Sequence, residues 1–109
     1  MDDCVVIGQP STGTVTPSGL RNGGRHTEVS INDTTWTALP AVPLAGRNAV
    51  AVQNFSGVQV KINHSSTAVG YVGMRINNEG ERQYDISDSV IIYAKSSAGI
   101  VTVDIEEIS

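Results

Sequence analysis

The chain of 109 residues is poor in the side chains that metal proteins use. It has one cysteine, Cys4, which excludes an internal disulfide and a zinc site built from several cysteines. Cys4 lies in a short apolar run, where cysteine ordinarily packs as a small hydrophobic side chain. The two histidines, His26 and His64, are not arranged in an H-x-H spacing that predicts metal ligands. We therefore expect no metal and no cofactor, with both histidines exposed and without a special role.

Motifs of catalysis are scarce as well. No serine lies in a G-x-S-x-G segment, and two histidines offer few partners for a nucleophile. Paired carboxylates occur at Asp85/Asp88, which is typical of a strand end and turn, and at Glu106/Glu107, which is typical of a solvated chain end. There is no D-x-D-x-D-G calcium loop and no G-K-[ST] phosphate loop. The sequence predicts a protein that is not an enzyme and gives no indication of a small-molecule ligand.

Basic side chains are in the minority. The chain has seven Lys and Arg residues and eleven Asp and Glu residues, which gives a net charge of −4. Proteins that bind nucleic acid normally carry a basic face, so no nucleic-acid partner is expected. No apolar run approaches the roughly 20 residues of a membrane span. The start, Met1-Asp2-Asp3, is acidic where a secretory leader is basic, so we expect synthesis in the cytoplasm and no membrane association.

What the chain does have is alternation with a period of two. Val58, Val60 and Ile62 alternate with polar residues, and the same pattern recurs in residues 101–106. This period is typical of strands that are buried on one face only. Turn signals separate about eight such strands, one of them over residues 69–76, at spacings of roughly 8–12 residues. The predicted fold class is all-β: a single small antiparallel β-sandwich, either a jelly roll or Ig-like.

The N-terminal part of the chain differs in composition. Residues 4–7 form a short apolar strand, and twelve of the eighteen residues 8–25 are Gly, Pro, Ser or Thr. Such a segment is too polar to form a core alone. We therefore predict an N-terminal strand and extended arm over residues 1–25 and a β-sandwich over 26–109. The arm is expected to lie across a neighbouring subunit of a homo-oligomer, where it adds backbone hydrogen bonds to a sheet edge; its candidate contact residues are Val15, Leu20, Arg21 and Arg25.

Two segments carry a family resemblance. Thr35-Trp36-Thr37-Ala38-Leu39-Pro40 is followed by 44–57, in the pattern W-x-x-L-P, then L-x-x-R-x-x, an alternating strand and N-x-S. Residues 90–99 and a last strand ending in acidic residues complete the pattern. This arrangement resembles small virion proteins of tailed bacteriophages and covers about residues 34–108. The resemblance implies a β-sandwich located on the virion.

The resemblance also implies a function and partners. It favours a capsid decoration or cement protein that bridges capsomers, with the major capsid protein or other virion proteins as partners. A collar, head–tail adaptor or tail component is the alternative within the same class. A carbohydrate-binding module is the alternative from another class, because small β-sandwiches often bind sugars on exposed aromatic rings.

Five residues are candidates for structural roles within this pattern. We expect Trp36 to close one end of the core and Arg47 to hold the bend before the next strand, by bonds to carbonyls or a carboxylate. Asn54 and Gly57 suit the tight reversal that follows. Tyr93 is expected to pack its ring and to direct its hydroxyl outward. The aromatic candidates for a sugar site are Trp36, Tyr71, Tyr84 and Tyr93.

Overall fold

The alternating segments of the sequence form eight β-strands. The computed structural model describes residues 23–109, and all the strands below lie in that range. They are β1 (Gly24–Ile31), β2 (Thr37–Ala38), β3 (Ala49–Asn54), β4 (Val60–Asn63), β5 (Met74–Ile76), β6 (Gly80–Tyr84), β7 (Tyr93–Ser96) and β8 (Val101–Ile108). No helix occurs within residues 23–109. The predicted all-β class is therefore confirmed.

The strands lie in two sheets of four. The first sheet has the order β1-β8-β3-β6, the second has the order β2-β7-β4-β5, and every pairing is antiparallel. The first strand thus pairs with the last, the second with the seventh, the third with the sixth and the fourth with the fifth. This nested order is that of a jelly roll. An Ig sandwich groups its strands differently, so the jelly roll is the one of the two predicted forms that occurs.

The core lies between the two sheets and is almost entirely aliphatic. Inward-facing residues of the first sheet, such as Val52 and Ile105, meet those of the second sheet, such as Val60 and Ile62. Full burial of one such side chain contributes about 1.5–3 kcal/mol to folding. The buried cluster comprises Ile31, Leu39, Val50, Val52, Val60, Ile62, Ile76, Ile92, Ala94, Val103 and Ile105. The cluster spans seven of the eight strands or their immediate flanks.

Several strand bounds differ from the predicted ones. β1 begins at Gly24, two residues before the predicted start of the sandwich, and Gly23 exchanges backbone hydrogen bonds with Ser109. β2 has only two residues, since the prolines that follow supply no amide hydrogen for a ladder. β5 keeps only the last three residues of the predicted strand 69–76. The predicted strand 4–7 and most of the predicted arm lie outside the described residues.

Gly73 explains why β5 begins late. Its φ of 139° belongs to a region that side chains rarely adopt, and it lies where the chain approaches β4. A Cβ at this position would be 2.2 Å from the carbonyl oxygen of Ile62. The chain can therefore pass this close to β4 only as glycine.

Replacement of Gly73 should be far more damaging than replacement of a glycine in open space. Gly57 also has positive φ, at 92°, but nothing lies within 4 Å of its would-be Cβ. We expect Gly73→Ala to lower the free energy of unfolding by about 2 kcal/mol or more beyond the loss in Gly57→Ala, because a steric clash adds to the backbone strain. Urea denaturation of both variants measures the difference, and equal losses would contradict the proposed clash.

Candidate functional site

A buried carboxylate lies at the end of β8. The alternation that places Val103 and Ile105 in the core continues to Glu107, whose side chain has no solvent exposure. Glu107 Oε1 accepts hydrogen bonds from Arg25 Nε at 3.0 Å and Nη2 at 2.6 Å. Glu107 Oε2 accepts from Arg47 Nη1 and from the Leu44 amide, both at 2.8 Å. We call Arg25, Arg47 and Glu107 the ionic clamp.

The ionic clamp attaches two of the connections between the sheets to the first sheet. Arg47, itself buried, also donates from Nε to the Ser87 carbonyl at 3.1 Å and from Nη2 to the Val90 carbonyl at 2.5 Å. Arg25 Nη2 donates to the Val42 carbonyl at 2.6 Å. The clamp thus joins β1, β8, the β2–β3 connection and the β6–β7 connection. Arg47 bonds both to carbonyls and to a carboxylate.

The clamp contradicts the prediction made for Glu107 and gives Arg25 partners within the fold. The interpretation of Glu106/Glu107 as a solvated chain end is wrong for Glu107, because the strand continues through it and turns it inward. Arg25 was a candidate for contact with a partner. It is placed within β1, and its guanidinium is engaged by Glu107 and Val42.

The hydrogen bonds determine the charge state of Glu107. Burial alone would raise the pKa of this carboxyl, since it disfavours the charged form. The bonds from the Leu44 amide, Arg25 and Arg47 outweigh burial and hold the pKa of Glu107 below its ordinary value of 4.5. Glu107 is therefore ionised at neutral pH and works as an acceptor within the fold.

A second buried polar residue, Asn54, anchors the turn after β3. Its Nδ2 donates to the carbonyls of Val58 at 2.8 Å and Ile76 at 2.9 Å. Its Oδ1 accepts from the amide and the hydroxyl of Ser56. The following Gly57, in the left-handed conformation, donates its amide to Asn78 Oδ1 at 2.8 Å. These bonds tie the β3–β4 turn to β5 and the β5–β6 turn.

The outward side of the first sheet carries carboxylates and no Lys or Arg from its strands. Glu28 of β1, Asp104 and Glu106 of β8, Glu81 of β6 and Asp85 just after β6 occupy it. The alternation places the basic residues of these strands, Arg25 and Arg82, on the other side. We call this surface the carboxylate face.

Three potential metal ligands meet on the carboxylate face. His26 Nε2 lies 3.0 Å from Asp104 Oδ1, and the ligand atoms of His26, Glu28 and Asp104 all lie within 4.8 Å of one another. The sequence does not reveal this group, because His26 and Asp104 are 78 residues apart and meet only through the β1–β8 register. His64, by contrast, is exposed in the β4–β5 connection.

The outer side of the second sheet combines cations with aromatic rings. Lys61 Nζ lies 4.7 Å from the centre of the Tyr71 ring, and Lys95 Nζ lies 4.9 Å from that of Trp36. Trp36 is 9% exposed and donates its indole N–H to the Ala68 carbonyl at 2.9 Å. The β4–β5 connection therefore covers this side, and Trp36 does not offer an open face to a sugar.

The remaining predicted residues are distributed over the molecule. Tyr93 is half-buried in β7, paired with Ala38 and Asn63. Val15, Leu20 and Arg21 lie outside the described residues. Within residues 23–109, no helix is long and apolar enough to cross a membrane.

Removal of the negative charge of Glu107 should destabilise the fold strongly. Glu107→Gln leaves two buried or half-buried guanidinium groups without their carboxylate, and we expect a loss of about 3 kcal/mol in the free energy of unfolding. Glu106→Gln, one residue away on the exposed side, is the matched control and should change stability by less than about 0.5 kcal/mol. Chemical denaturation at neutral pH measures both losses, and similar values for the two variants would refute the role of the clamp.

The same clamp should make stability depend on pH. Because the pKa of Glu107 is lower in the folded state, its contribution is complete above the unfolded-state value near 4.5 and is lost as the pH falls through the folded-state value. The stability gap between the wild type and Glu107→Gln should therefore narrow as the pH is lowered from about 6 to about 3. Denaturation curves across this range test it, and a constant gap would exclude the linkage.

Comparison with protein-family models, with curated proteins and with solved structures yields no match to this chain. The functional conclusion therefore depends on the sequence pattern of residues 34–108 together with the geometry of the ionic clamp, the buried amide and the carboxylate face.

Proposed function

We propose that this chain is a non-enzymatic structural protein of a bacteriophage particle that decorates the capsid and stabilises it by bridging capsomers. One observation carries the proposal. The residues on which the resemblance to virion proteins depends are the residues that hold the sandwich together. Leu44 and Arg47 bind Glu107 in the acidic last strand, and Asn54 fixes the turn that ends the pattern.

This arrangement supports mechanical work rather than catalysis. A catalytic group needs a free atom positioned toward a substrate. The donors of Arg47 instead bond to Glu107, Ser87 and Val90, and the amide of Asn54 bonds to backbone and to Ser56. In these buried groups, polar chemistry holds loops in place. A rigid jelly roll with fixed loops suits a protein whose task is to hold other proteins.

The fold is compatible with the proposal but does not decide it. Jelly rolls occur in viral capsid proteins, in lectins and in cupins, so function has to be argued from the site. A lectin-like site would need an aromatic ring open to the sugar. Trp36 is covered and bonded to Ala68, and Tyr71 is covered by Lys61 and bonded to Gln59. These contacts favour the virion reading over the carbohydrate-binding reading.

The proposal predicts where the protein lies in a virion. Electron cryomicroscopy of particles from a phage that encodes this chain should show its density repeated over the capsid lattice, and quantitative mass spectrometry should give a copy number that matches the lattice. A single ring of copies at the portal vertex would instead assign the chain to the collar or adaptor class. Absence of the protein from purified virions would refute the proposal.

A further inference from the structure

A trough runs along the centre of the carboxylate face. The central strand β3 presents the small side chains of Ala49 and Ala51 there, followed by Gln53, while its neighbours β8 and β6 present long acidic ones. Glu106 lies on one wall, and Glu81 lies on the other. Two adjoining cavities of about 240 and 140 Å³ occupy the trough, and both are lined by Ala51, Gln83 and Glu106. The trough is thus continuous along β3.

Strand spacing fixes the width of the trough. Neighbouring strands lie about 4.8 Å apart, so the walls formed by β8 and β6 are separated by about 10 Å. That width admits one extended chain. Along a strand, side chains on the same face repeat about every 6.7 Å. An extended segment lying along β3 can therefore present alternate side chains to the acidic walls.

The negative charge of the described residues is concentrated on the carboxylate face. Residues 23–109 contain nine carboxylates and six Lys or Arg side chains, and five of the nine carboxylates lie on the carboxylate face. The remainder, four carboxylates against six cations, is net positive. A face of this kind attracts a partner of positive charge and repels phosphate groups. The overall charge of −4 does not reveal this separation.

We propose that the trough binds an extended Lys- or Arg-rich segment of a partner protein, which lies along β3. The aliphatic stems of the segment pack over Ala49 and Ala51, and its cationic ends pair with Glu106, Glu81 and Asp85. The identification of that partner as a capsid protein rests on the proposed function. The binding of a basic segment does not depend on it.

The distribution of the carboxylates favours a polycation over a single metal ion. Oxygen atoms that bind one divalent ion lie within about 2.6 Å of it, whereas the walls are about 10 Å apart. One ion held by His26, Glu28 and Asp104 would neutralise the β1–β8 side, while Glu81 and Asp85 lie on the β6 side, two to three strands away. A row of cations along β3 reaches both walls.

The test is the binding of a fluorescent peptide of alternating Lys and Ala to the full-length protein, measured by anisotropy at low salt and with EDTA. The double variant Glu81→Gln/Glu106→Gln should bind about tenfold more weakly, since it removes one ion-pair partner from each wall. The control Asp33→Asn/Glu79→Gln removes the same charge from loops outside the trough and should change affinity less than twofold. Circular dichroism verifies that both double variants remain folded.

A steric variant separates the trough from general charge attraction. Ala51→Leu keeps every charge, but its larger side chain fills the floor of the trough. Because the peptide would then fit poorly, the variant should also bind about tenfold more weakly. The inference is overturned if the two charge variants weaken binding equally or if Ala51→Leu binds with full affinity. It is also overturned if the protein does not bind the peptide or if EDTA abolishes the binding. If the protein binds the peptide yet is absent from virions, the proposed function fails and the inference about the trough stands.

Discussion

The structure depends on the burial of one ionised carboxylate, that of Glu107. A charge removed from water costs several kcal/mol unless its oxygens are fully bonded. Here both oxygens are bonded, by Arg25, Arg47 and the Leu44 amide. Because these donors come from β1 and from the β2–β3 connection, the carboxylate fixes how the chain returns to the first sheet. The guanidinium of Arg47 extends the network to Ser87 and Val90.

The acidic residues on the two sides of β8 therefore have different roles. Its inward residue Glu107 is part of the fold, and its outward residues Asp104 and Glu106 belong to the carboxylate face. The pleat of the strand separates them, because successive side chains point to opposite sides of the sheet. The inward carboxylate is neutralised by arginines. The outward carboxylates meet no Lys or Arg from the strands of their sheet, and they are the ones available to a partner.

We base the proposed function in part on that division. In the described residues, buried polar groups hold the loops of this module to its sheets. The carboxylate face gives that module one chemically distinct surface. A protein that reinforces a larger assembly needs both a stable fold and a surface that recognises its neighbour by charge.

The sequence predicted the fold class because alternation is a local signal. Residues 101–106 and 58–62 alternate in the sequence as they do in β8 and β4. Glu107 is not the solvated residue predicted for the chain end, because the period of two continues through it and assigns it to the inward face. The strand predicted over 69–76 was too long, since the close approach of Gly73 to β4 is a tertiary contact that no local pattern contains.

By itself, the sequence determined an all-β sandwich, the inward and outward sides of its longer strands, and the scarcity of catalytic motifs. Only the tertiary structure decided that the sandwich is a jelly roll and that Arg25, Arg47 and Glu107 meet. It also decided that the carboxylates of β1, β6 and β8 share one face beside the alanines of β3. The physical reason is register. Which side a residue occupies depends on its own strand, but which residues become neighbours depends on how distant strands pair.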